Sequence, residues 1–189
     1  MNRKKNFLLN WLIVLVGVHF LQGQAMEFVK EELNFYLDRR SFVVQGVYFF
    51  SNQEERAFQG AVWYPFPDSN VSNIQAYDEK FQKIAVSLQK EKQWGTRIPL
   101  QMAAGDSTFV IVRYLQKVNG NHVKYIVTST RQWLKPLKEA RFQLVVDPGI
   151  QQINFSFPPN SEKYLNGKYV YQWQFKNFYP KRDFVINFK

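Results

Sequence analysis

Side chains of the types that carry catalysis are few in this chain, and their spacing matches no complete site. His122 and His19 are the only histidines in the 189 residues, and there is no cysteine. A tetrahedral zinc site draws its ligands mainly from those two residue types, so no metal or other cofactor is expected. A thiol nucleophile is excluded, and a Ser-His-Asp triad would have to use His122. No serine sits in a Gly-x-Ser-x-Gly elbow. Gly105-Asp106-Ser107 matches the start of one esterase signature, but it falls mid-chain before a strand pattern, where a turn accounts for it. Among the carboxylates, Glu27, Glu31, Glu32 and Asp38 crowd one stretch, and Asp78 and Glu79 another. Paired carboxylates cleave glycosidic bonds when a fold holds them at the right separation, which spacing along the chain does not fix. As they stand they read as solvated surface charges. The window 68–79 carries oxygen-bearing side chains at its first, third, fifth and last positions, as a helix–loop–helix calcium site does. Asn73 stands where that loop needs glycine, so a polar connection between strands is expected there.

Binding chemistry is better represented. Aromatic residues make up 17% of the chain, and Trp63, Trp94, Trp133 and Trp173 all follow residue 25. Flat exposed rings stack on sugars, and half-exposed aromatics anchor protein contacts. Trp173 falls in register with Tyr169, Tyr171 and Phe175, a core pattern. Trp94 and Trp133 lie in loop-like surroundings beside Lys92 and Arg97, and beside Arg131 and Lys135, respectively. Those six residues are the candidate ligand-binding set, suited to an anionic glycan or a protein partner.

The elements that would position these residues are strands. Tyr169, Tyr171, Trp173 and Phe175 alternate with Val170, Gln172 and Gln174; Ala140, Phe142, Leu144 and Val146 alternate with Arg141, Gln143 and Val145. Ile153, Phe155 and Phe157, then Phe184, Ile186 and Phe188, and near the start Leu33, Phe35 and Leu37 repeat the pattern. A period of two places apolar side chains on one sheet face, as in half-buried antiparallel strands. Phe42 to Phe50 and Thr108 to Leu115 are apolar on both faces and predict central strands covered by a second layer. Asn119-Gly120 predicts a hairpin between the strands on either side, and Asn166-Gly167 a second turn. Residues 73–93 form the one stretch that could hold a helical turn, although Ile84, Val86 and Leu88 alternate. Arg131 to Lys138 reads as a connecting loop, since Pro136 would break a helix interior. His122, just past the first turn, is expected to face solvent.

The first residues speak to compartment. Asn2 to Lys5 is basic, Phe7 to Leu21 is an apolar run, and Gly23-Gln24-Ala25 supplies small residues, the order of a secretory signal. The run is shorter than the roughly 20 residues a membrane-spanning helix needs. Loss of residues 1–25 removes Arg3, Lys4 and Lys5 and lowers the net charge of +10 to +7. A basic balance favours anionic surfaces. The charges are scattered, and nucleic acid is not an expected partner of an exported protein. An exported chain without cysteine reads as bacterial.

Four phrases stand in order along the chain: Tyr48-Phe49-Phe50-Ser51-Asn52; Trp63-Tyr64-Pro65-Phe66-Pro67; Tyr125 through Thr130 leading to Trp133, Pro136 and Ala140; and Asn177-Phe178-Tyr179-Pro180 followed by Asp183. Together they resemble a domain-of-unknown-function family of exported bacterial proteins. The resemblance implies an exported, β-rich protein and no known chemistry.

The sequence therefore predicts an all-β chain, with residues 1–25 as signal and residues 26–189 as a single domain. That domain is expected to be an antiparallel β-sandwich of about ten strands; an immunoglobulin-like order is one arrangement and a closed barrel the main rival. The expected function is non-catalytic binding to a cell-envelope protein in the periplasm or outside the cell, without an integral membrane span in the mature chain. An anionic-glycan module is the alternative, and a carboxylate-based glycoside-active enzyme the second. The signal pattern predicts a mature N-terminus at Met26; intact-mass measurement of the exported protein checks this, and retention of residues 1–25 would refute it.

Overall fold

The computed structural model describes residues 26–189; the expected signal, residues 1–25, lies outside the described residues. The alternating segments form fourteen strands. They are β1 (Met26–Leu37), β2 (Ser41–Asn52), β3 (Phe58–Pro65), β4 (Val71–Tyr77), β5 (Lys83–Ile84), β6 (Gln89–Lys90) and β7 (Trp94–Met102). Then follow β8 (Ser107–Lys117), β9 (His122–Tyr125), β10 (Leu137–Val146), β11 (Asn154–Phe155), β12 (Ser161–Leu165), β13 (Lys168–Phe178) and β14 (Phe184–Asn187). One 3-10 helix, Thr128–Trp133, separates β9 from β10. Among the described residues no helix is long and apolar enough to cross a membrane.

The chain is all-β and sandwich-like. One layer is an eight-stranded sheet in the order β12-β13-β10-β1-β2-β8-β4-β5. The other layer is divided between two three-stranded sheets, β11-β14-β9 and β3-β7-β6. Ring contacts show where each smaller sheet sits. Phe184 of β14 stacks on Phe35 of β1 at 5.3 Å and meets Trp173 of β13 edge-on at 5.0 Å. Tyr64 of β3 and Phe66 just beyond it pack edge-on against Tyr114 of β8 at 6.2 and 4.9 Å. The split leaves a seam over the middle of the large sheet.

Neighbours pair antiparallel except for β1 and β10, which run parallel from Lys30↔Glu139 to Leu37↔Val146. The segments read as doubly apolar do become the central strands β2 and β8, but only one of their faces meets the second layer. The outer face is covered by side chains alone, with Phe49 against Phe109 at 5.8 Å and the Lys30 ammonium over Phe49 at 5.0 Å.

The two Asn-Gly turns behave differently. Asn166 and Gly167 both take positive φ (49° and 77°) and close the two-residue hairpin from β12 to β13, as their side chains allow. Asn119-Gly120 does not make the expected hairpin. Only Gly120 is left-handed, and β9 leaves β8 to pair with β14 in the other layer. A turn dipeptide sets local dihedrals, while the burial of Val123 and Tyr125 decides which sheet the next strand joins. The region proposed for a helical turn holds β4, β5 and β6 instead, and Ile84, Val86 and Leu88 lean on the core.

Phe184 is fully buried and touches the rings of Phe35, Phe142, Phe157 and Trp173. Phe184→Ala removes the ring that joins the β11-β14-β9 sheet to the large one. A loss of roughly 3–5 kcal/mol in unfolding free energy is expected, read by chemical denaturation.

Candidate ligand-binding cavity

The seam is held by three tyrosines, one from each sheet. Inward-facing positions of β2 run Phe42, Val44, Gly46, Tyr48 and Phe50, and the Tyr48 ring lies along the strand over Gly46. A Cβ at Gly46 would come within 2.1 Å of the Tyr48 hydroxyl oxygen, so glycine is what makes room for the ring. Laid flat, Tyr48 brings its hydroxyl to the seam, where it hydrogen-bonds the Tyr64 hydroxyl of β3 at 2.7 Å and the Tyr125 hydroxyl of β9 at 2.8 Å. Burial pushes all three phenols well above their ordinary pKa, so they stay protonated and able to supply the two protons these bonds need.

Directly across the β1–β2 ladder from Tyr48 stands Glu31. A β-bulge between Phe28 and Lys30 adds one residue to β1, after which Glu31, Leu33, Phe35 and Leu37 face inward. Glu31 is only 1% exposed, and its Oε1 has no hydrogen-bond partner. Burial raises its carboxyl from 4.5 to about 8. Desolvation of the charged form is the cause, with no cation in reach to oppose it.

Above Glu31 and Tyr48 the seam opens into a cavity of about 390 Å³. Phe28 and Phe50 complete its floor, Val62 to Pro65 and Ile98 form one wall, and the 3-10 helix forms the other. Exposed Ala61 and Gln132 line it at opposite sides and mark the mouth. The helix is set from a distance. Asp183, just before β14, accepts hydrogen bonds from the Thr128 backbone N–H (3.1 Å) and hydroxyl (2.6 Å), and the Thr130 hydroxyl donates to the Val127 carbonyl at 2.8 Å. So held, the helix delivers Trp133 onto Phe28 and Phe50, at 5.9 and 5.6 Å.

The six candidate residues do not form one surface. Trp133 is half-buried and lines the cavity. Trp94 is also half-buried but begins β7 away from the cavity, with the Lys90 ammonium 5.3 Å from its ring centre. Arg97 pairs with Glu91 at 2.7 Å, Lys135 pairs with Glu27, and the Arg131 guanidinium lies over Tyr179. Lys92 is exposed. Arg131 falls inside the 3-10 helix rather than in a loop. The 68–79 window is mostly strand β4: Asp68 and Asp78 cap their own turns, and Glu79 accepts from Thr108. His122 is exposed and opens β9.

By composition Glu31 reads as a solvated acid, yet its register carries a signal. Counting back by twos from Leu37, Phe35 and Leu33 reaches Glu31 on the apolar face. Tyr48 likewise falls on the inward face of β2 by simple alternation. Their meeting with Tyr64 and Tyr125 depends on pairings between sheets, which alternation does not specify.

Fold and site together define an all-β sandwich with an aromatic cavity in a divided layer. Residues 113–186 match a family described as Domain of unknown function (DUF4424), in line with the resemblance, whose third and fourth phrases fall within that span. The matched span includes Tyr125, the helix and Asp183. No curated protein matches the chain. Among solved structures, a crystal structure from Legionella pneumophila, provisionally described as a nutrient binding protein, is similar with a TM-score of 0.70. Identity is 10%, covering 87% of this chain and 67% of that one, a likeness that establishes the fold alone.

The raised Glu31 carboxyl gives a signed pH dependence. Between the unfolded value near 4.5 and the folded value of about 8, the native state binds more protons, so stability is greatest at the acid end and falls as pH rises through that window. The loss is on the order of 5 kcal/mol. Glu31→Gln is expected to flatten the dependence and to be the more stable form at about pH 8. Thermal melts across the window check this, and an unchanged slope would refute it.

Proposed function

We propose that the chain is an exported, non-catalytic binding protein that holds a small, largely apolar molecule in the seam cavity. The carrying observation is the cavity itself: about 390 Å³, walled by aromatic side chains with a few convergent polar groups, which is the make-up of a small-molecule site. Holding rather than turnover is supported by the single carboxylate among the lining residues. Glu31 has no second acid and no histidine beside it in the cavity, so the two-carboxylate arrangement of a glycosidase is not assembled there. The similarity to a protein described as nutrient-binding supports the same reading by analogy. The signal pattern of residues 1–25 supports export to the periplasm or beyond, with 26–189 acting as one domain.

A second reading retains the cell-envelope protein partner. Strand β12 is an edge of the large sheet, and Tyr164 and Leu165 there are 60% and 54% exposed. Open edges with apolar side chains pair readily with another chain. An anionic glycan at the tryptophans is less favoured, because Arg97, Arg131 and Lys135 beside them are already engaged.

Ala61→Trp at the mouth separates the two readings. A neutral naphthylamine dye is expected to bind the unaltered protein saturably by fluorescence, and about tenfold or more weaker in the variant, with an unchanged far-UV circular dichroism spectrum. Equal affinity in both proteins would remove the cavity as the binding site. Tyr164→Lys should leave dye binding intact.

A further inference from the structure

We propose that the cavity selects a protonated primary amine with an apolar body, its ammonium seated against Glu31 and its body between Trp133, Phe28 and Phe50. This rests on the cavity being the binding site and names what the site takes. Glu31 is 99% withdrawn from water, yet its Oε1 accepts no hydrogen bond. Such an acceptor is expensive to leave unmatched. No lysine, arginine or histidine is among the lining residues, so the cavity supplies no positive group of its own. The titratable groups nearest to Glu31 are Tyr48 from β2, Tyr64 from β3 and Tyr125 from β9, all held neutral by burial; Ala140 of β10, its other ladder neighbour, is apolar. Two of the three tyrosine protons serve the bonds among the hydroxyls.

A carboxyl in that setting is complemented by an incoming N–H donor that carries charge. The surrounding rings fit the same guest, since a cation is attracted to the faces of tryptophan and phenylalanine. An anionic ligand would meet an ionisable carboxyl with no counter-charge beside it. A neutral apolar ligand would fill the space and leave Oε1 unmatched.

In the free protein near neutral pH the carboxyl is held largely as the acid, which is how burial is tolerated. When the ammonium arrives, the acid passes its proton to solvent and the carboxylate forms the ion pair. No other bond is made or broken. Amine binding is therefore coupled to release of about one proton near pH 7, and the coupling disappears well above the carboxyl's own titration.

The test displaces the naphthylamine dye with three probes of one shape: phenethylamine, phenethyl alcohol and hydrocinnamate. Phenethylamine is expected to displace the dye at about tenfold or more lower concentration than the alcohol, with hydrocinnamate weakest. Calorimetry in buffers of different ionisation enthalpy should show about one proton released with the amine at pH 7. Glu31→Gln should erase the gap between amine and alcohol and abolish the proton release. If that variant does not fold, the probe order and the proton count on the unaltered protein still decide. Alcohol equal to amine, or hydrocinnamate the best of the three, overturns the amine while leaving the cavity reading in place. Failure of the dye to bind the unaltered protein overturns both.

Discussion

The hydroxyl of Tyr48 is the joint on which this architecture turns. It is the one described atom through which all three sheets are hydrogen-bonded at once, to Tyr64 on one side and Tyr125 on the other. Two half-layers laid on a large sheet have no backbone ladder between them, so what aligns them must be side chains. Buried hydroxyls are well suited, because each is costly to leave unpaired and short enough to demand a defined separation. Gly46 is part of the same device, since only a residue without Cβ lets the Tyr48 ring lie down along its strand.

From that joint the cavity follows with little further invention. The two smaller sheets each pack on their own part of the large one, Phe184 on Phe35 and Phe66 on Tyr114, and the tyrosines close the gap between them only at one level. Beyond it the sheets diverge, and the 3-10 helix with Trp133 covers what remains. The bulge in β1 adds the polar element: without the extra residue, Glu31 would be on the face opposite Phe28, and with it the carboxyl joins Met26 and Phe28 among the cavity's residues.

Much of the fold was legible because burial on one face imposes a period of two, and the aromatic strands of β10, β13 and β14 obey it closely. The parallel pairing of β1 with β10 was not legible, since alternation is identical in parallel and antiparallel neighbours when one face is covered. The path of β9 was hidden for a related reason: Asn119-Gly120 permits a hairpin without requiring one. Of the six residues singled out beforehand, Trp133 came to the cavity, and it did so through Asp183, far away in sequence. Glu31 and Tyr48 carried a local signal in their register, while Trp94, Lys92 and Arg97 drew attention by composition alone; Trp94 sits under Lys90, Arg97 pairs with Glu91, and Lys92 is exposed.

The tie from Asp183 to Thr128 has a consequence for the order in which the molecule can be completed. A chain completed from its N-terminus presents β1 and its bulge early, and β2 can pair at once. Glu31 then waits, with β10 still to come and the clasp on the aromatic lid arriving only with the final strand. Long-range closure of this kind is slow and exposes apolar surface meanwhile. An acid in that surface, ionised and hydrated until the lid docks, would keep the half-built interior soluble during the interval.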